Sequence, residues 1–80
     1  MSAYTDGIAA KVREMLDIDG EALVSGKTIG AESAANIAVA IGCECAYRYG
    51  DDYFEFSRDA IAAEHPRDMI LSGETWEAAQ

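Results

Sequence analysis

Positive charge is scarce in this chain of 80 residues. Six lysines and arginines face fifteen aspartates and glutamates, which leaves a net charge of −9 and a pI near 4.2. A chain so poor in cations repels nucleic-acid phosphates and anionic lipid, so a direct hold on either is not expected. Cysteine is nearly as scarce. Cys43 and Cys45 are too few for a disulfide framework and, at i and i+2 of a strand, are badly placed to bridge each other. No apolar run approaches the ~20 residues of a membrane span. The N-terminus lacks the basic-then-apolar pattern of a signal peptide, so the expected location is the cytoplasm. There is one histidine, one proline, no internal repeat, no linker and no low-complexity stretch. A chain this short makes one domain and buries only about 60% of its unfolded surface.

Half of the residues are hydrophobic, which is ample for a globular core despite the charge. Many are alanine, so the bulk sits in the aromatics and in a few aliphatics such as Ile8, Val12, Leu16, Ile37 and Ile61. The densest run is Cys43 to Ser57, CECAYRYGDDYFEFS, which alternates with period 2 and reads as a β-hairpin. Gly50-Asp51 suits a two-residue type II′ turn. That turn pairs Tyr49 with Asp52, Tyr47 with Phe54 and Cys45 with Phe56. It gathers the apolar side chains on one face and puts Glu44, Arg48, Tyr53 and Glu55 on the other. A three-residue loop would slip the register by one and set Phe54 and Phe56 beside Arg48 and Glu44, so the hydrophobic pattern selects the tighter turn.

Around the hairpin, residues 4 to 16 carry Tyr4, Ile8, Val12, Met15 and Leu16 at helical spacing, with Ser2 or Thr5 as cap. Asp17 to Gly20 ends that helix. Ala22-Leu23-Val24 is a short strand or an extended connection. A second helix is expected over 31 to 41, closed by Gly42 in the left-handed conformation. Ser57 caps an expected short third helix over Arg58 to Glu64, which His65-Pro66 terminates. Asp68 to Leu71 is a third strand beside the hairpin, and Glu74 to Ala79 a last helical turn anchored by Trp76. The expected class is thus α+β: one domain, an antiparallel hairpin of two or three strands, with two to three helices covering one face.

Four stretches invite a chemical reading. Val24 to Thr28, VSGKT, resembles the end of a phosphate-binding loop, but the required first glycine is replaced by Glu21, a carboxylate of the wrong sign. Asp17 to Glu21, DIDGE, resembles a calcium loop, yet its sixth and twelfth positions are Ala22 and Thr28. Both read better as turns. Cys43 and Cys45 with His65 offer three ligands where a closed zinc site uses four, and strand-borne thiols facing aromatics pack as small hydrophobes. His65 beside Glu64 has no nucleophile near it in sequence. No catalytic residue, cofactor or metal is expected, and the chain reads as a non-enzyme. A pocket enclosing His65 with Glu64 or Cys43 would reverse that.

The acids themselves are the remaining signal. From Ile41 onward there are nine acids and three bases, against six and three before it. Asp51, Asp52, Glu55, Asp59, Glu64 and Asp68 are expected to form a negative ridge from the hairpin tip along the third helix. Carboxylates spaced along one side imitate phosphates, which recur every ~1.7 Å of duplex axis. Tyr53, on the outer face, is the exposed aromatic that such a surface would use as an anchor. The same acids also serve plain solubility.

In size, acidity and lack of a catalytic motif, the whole chain resembles the small inhibitors made by phages and mobile elements, notably anti-CRISPR proteins. The likeness is one of character and assigns no residue a role. It implies a compact α+β domain that binds a Cas effector complex or another protein with a basic nucleic-acid-binding groove, in several members as a DNA mimic. The alternative is a small structural or regulatory subunit that forms a homodimer, or docks, through its aromatic hairpin.

Overall fold

The computed structural model describes residues 2–71. The expected last turn over 74–79, with Trp76, lies outside them. Two helices and a four-stranded antiparallel sheet follow in the order α1 (Ala3–Asp19), β1 (Glu21–Ser25), α2 (Ala31–Ile41), β2 (Glu44–Arg48), β3 (Tyr53–Ser57) and β4 (Met69–Ile70). The sheet order is β1-β3-β2-β4. The class is α+β, with one strand more than the hairpin and its expected neighbour supply.

α1 starts where Ser2 Oγ accepts the Thr5 N–H at 3.1 Å, and Asp6 sits in the first turn at the positive end of the dipole. It runs three residues past the expected end. Gly20 then adopts φ +80° and donates its N–H to the Leu16 carbonyl, closing the helix in the left-handed conformation that glycine allows. α2 spans the expected residues, and Gly42, also at φ +80°, caps it through Ala38. Ala34, Ala35 and Ala38 are fully buried, since a methyl-only face lets the helix lie close to the sheet.

Both helices cover one face of the sheet, packing on Ala22, Cys45, Phe54 and Phe56, with Val12, Leu16 and Ile37 completing the core. In the hairpin, Tyr47 lies opposite Phe54 and Cys45 opposite Phe56, which is the register the hydrophobic pattern demands. The turn is different. Tyr49 to Asp52 form a four-residue loop closed by Asp52 N–H donating to the Arg48 carbonyl at 3.1 Å. Gly50 at φ +93° and Asp52 at φ +52° both enter the left-handed region, which aspartate tolerates better than most residues. Tyr49 consequently leaves the apolar face and is 44% exposed.

The expected helix over 58–64 does not form. Its main-chain groups are taken by side chains instead: Ser57 Oγ accepts the Asp59 N–H, Arg48 donates to the Ala62 carbonyl, and Asp68 accepts the Glu64 and His65 N–H groups. Seven helix-permissive residues are too few to outweigh those tertiary bonds. The segment runs instead as an irregular strap. Its attachment to Arg48 places it against the sheet face opposite the helices. β4 then pairs with β2 through Ala46 and Tyr47, as the expected third strand.

Candidate interaction surface

The strap is fastened by one side chain. Along β2, Glu44, Ala46 and Arg48 alternate with Cys45 and Tyr47, so Arg48 points away from the helices. Sequence alternation alone leaves it in solvent; the structure leaves it 5% exposed. Its guanidinium donates to the Ala62 carbonyl and to Asp68 at 3.0 Å each, and to Glu55 through Nε at 3.4 Å and Nη2 at 3.2 Å. Glu64 stands 3.9 Å away with its side chain 80% exposed, a geometry worth little. Asp68 also accepts the N–H groups of Tyr49, Glu64 and His65 at 2.8, 3.0 and 3.0 Å. Beside it, the Tyr49 ring lies 4.8 Å from His65, with the Arg67 guanidinium 5.1 Å above it. Among the described residues no buried side-chain polar atom lacks a partner.

These contacts set the ionisation of the cluster. Burial opposes the charge on Arg48, but its bonds to Asp68 and Glu55 outweigh that and raise its pKa. Burial likewise opposes ionised Asp68, yet the Tyr49, His65 and Glu64 N–H groups and Arg48 hold its carboxyl far below the ordinary carboxylate value of 3.8. As pH falls, the unfolded chain therefore takes up this proton first. Asp68 contributes its full stabilisation above about pH 5, and loses it as pH falls from about 4 towards the lower folded-state value. In denaturant titrations from about pH 7 to about pH 2, Asp68→Asn is expected to lower stability at neutral pH and to flatten the acid decline. An acid limb as steep as wild type would show that Asp68 does not set it.

The expected ridge is divided by this cluster. Glu55, with a side chain 19% exposed, and Asp68, 2% exposed, are bound to Arg48 and face inward, so neither is available to a partner. Tyr53 is half-buried. Asp51 and Asp52 are exposed at the hairpin tip, where Asp52 accepts the Tyr47 hydroxyl at 2.7 Å. Asp59 is exposed beyond the other end of β3, roughly 20 Å along the strand. Glu64 is exposed on the strap between them.

A second acidic group lies near Asp59. Glu21, Ser57 and Glu44 stand opposite one another across three strands, next to the end of α1 with exposed Asp17 and Asp19. Arg58, carried just past Ser57, donates to Asp17 at 2.6 Å. Three acids within residues 17–21 are the sequence signal for this group. It is hidden there because only the pairing of β1 with β3 brings them beside Asp59.

The other chemical candidates resolve as structure. Residues 25–28 form a turn in which Gly26 N–H donates to the Asp52 carbonyl and Lys27 N–H to Ser25 Oγ; a Cβ on Gly26 would run into the Asp52 side chain. DIDGE is the end of α1, its cap and the first residue of β1. Cys45 is fully buried, and its thiol is pushed up to about 12, mainly by burial and then by Cys43, Glu55 and Glu44. His65 Nδ1 accepts the Arg67 N–H at 3.0 Å. Among the described residues no three His, Cys, Asp or Glu side chains gather as metal ligands, and no helix is long and apolar enough to cross a membrane.

Compared with protein-family models, with curated proteins and with solved structures, the chain matches none.

Proposed function

We propose that this protein is a non-enzymatic binding protein of the cytoplasm whose acidic surface occupies a basic, nucleic-acid-binding groove of a partner protein. A Cas effector complex is the partner that the anti-CRISPR resemblance implies. One observation carries the reading. The described ion pairs engage only Arg48 and Arg58, while Asp51, Asp52, Asp59, Asp19 and Glu21 stay exposed at the two ends of the sheet. Withdrawal of Glu55 and Asp68 changes the expected continuous ridge into two acidic ends joined by the exposed Glu64. Charge-assisted bonds from Arg and Lys of a partner to these carboxylates would give on-rate and selectivity. Docking through the aromatic hairpin is less supported, because Phe54 and Phe56 are spent on the core.

The test is salt-eluted capture of the partner, followed by titration. From about 0.1 M to about 1 M salt the Debye length shrinks from about 10 Å to about 3 Å, and affinity is expected to fall at least about tenfold. Asp51→Lys with Asp59→Lys is expected to lose a similar factor, and bound protein to compete with the partner's own nucleic acid. An affinity that barely changes with salt would refute the mimicry.

A further inference from the structure

We propose that the outer edge of β1 is a self-association surface, on which a second copy of this chain adds its own β1 antiparallel to make one eight-stranded sheet. This rests on observations separate from the acidic ends. β1 stands last in the sheet order, and among the described residues no element pairs with its outer edge. The bond from Gly26 N–H to the Asp52 carbonyl sets the phase of the ladder. Hydrogen-bonded pairs alternate along an antiparallel strand, so residues 22, 24 and 26 face β3 and the main-chain groups of Glu21, Leu23 and Ser25 point outward. The Ser25 carbonyl turns to the Thr28 N–H, while among the described residues no element takes the Ser25 N–H or the main-chain groups of Glu21 and Leu23 on this side.

Each flank of this edge carries an apolar element, a single exposed leucine between Glu21 and Ser25 on one side and a groove on the other. Leu23 is 59% exposed on the side away from the helices. On the helix side, a groove of about 400 Å³ lies between α1 and β1, walled by Ile8, Lys11, Val12, Met15, Ala22 and Val24. Such an edge pairs readily with another chain unless it is blocked.

The residues of β1 are complementary to themselves. With a two-fold axis at Leu23, that residue meets its own copy, each Ala22 meets Val24 and each Glu21 meets Ser25, so all five strand residues pair and no like charges oppose. Lys27, just past one end, then comes to the end where Asp19 and Glu21 of the second copy lie, an opposite-charge match repeated by symmetry. That match favours a second copy as the occupant.

Sedimentation equilibrium on the full chain, from about 1 µM to about 1 mM, is expected to show mass rising from one chain towards two. Leu23→Arg places a charge on the axis, and Ser25→Pro removes an outward N–H, which edge strands tolerate, together with the exposed bond from Lys27 N–H to Ser25 Oγ. Each is expected to weaken association at least about tenfold while the variant keeps the circular-dichroism spectrum of the folded chain. Added salt screens both the Lys27 match and the repulsion between two chains of like charge, so pairing is expected to change little with salt where binding to a basic partner falls at least about tenfold, and either reading can fail alone. A monomer at every concentration overturns the proposal. So does a dimer indifferent to both substitutions, which would lie elsewhere. A monomer that pairs only after Trp76→Ala would give the edge to the chain's own last residues, and overturns it too.

Discussion

Replacing Arg48 by alanine is expected to cost about 3–5 kcal/mol, the range for removing one partner of a buried charge pair. The whole stability of an 80-residue domain is roughly 4–12 kcal/mol, so the variant should lose at least about a quarter of it and unfold at markedly lower denaturant. Three losses combine. Glu55 and Asp68 are left as neighbouring like charges with side chains 19% and 2% exposed. The Ala62 carbonyl loses its donor. The strap, which has no helix of its own, loses its main attachment to the sheet. Lysine should not rescue, because a single ammonium cannot reproduce the planar fork that reaches Ala62, Asp68 and Glu55 together. Arg48→Met combined with Glu55→Gln should recover part of the loss, since one stranded charge is then gone. Chemical denaturation reads all three variants. Wild-type stability in Arg48→Ala would mean that the cluster does not hold the strap.

Phe56→Ala is expected to cost about 3–5 kcal/mol by a different route, the cavity left by a large buried ring. Phe56 is the largest fully buried side chain described, on β3, which has β1 on one side and β2 on the other. Neighbours on both flanks are fixed by strand pairing, so the site can collapse little. The two variants should differ in salt response. Stability lost with Phe56 is apolar and should not return with added salt, whereas the repulsion left by removing Arg48 should be partly screened. Equal salt responses would contradict the assignment of the Arg48 loss to charge.

The strap has a consequence for binding. It turns the sheet face opposite the helices from an open surface into a half-covered one, and in doing so uses two of the acids that the sequence suggests for a partner. Among the acids left exposed are those of the tip, Asp51 and Asp52, and of the far end around Asp59 and Asp19.

Local pattern was enough for much of the fold. The limits of α2, the glycine cap at 42, the hairpin register and the strand after Asp68 follow from period, capping chemistry and the rule that a one-residue slip turns every side chain over. Each depends on residues within a few positions of one another, which is why the chain alone determined them. Three features depended on partners distant in sequence. Whether residues 58–64 coil into a helix was decided by Arg48 and Asp68 competing for their main-chain groups. Whether Glu55 and Asp68 face solvent was decided by the same arginine. Whether β1 is a strand at all was decided by β3, 32 positions away where Leu23 meets Glu55. An alternating sequence reports which side chains share a face, but only packing determines what, if anything, covers that face.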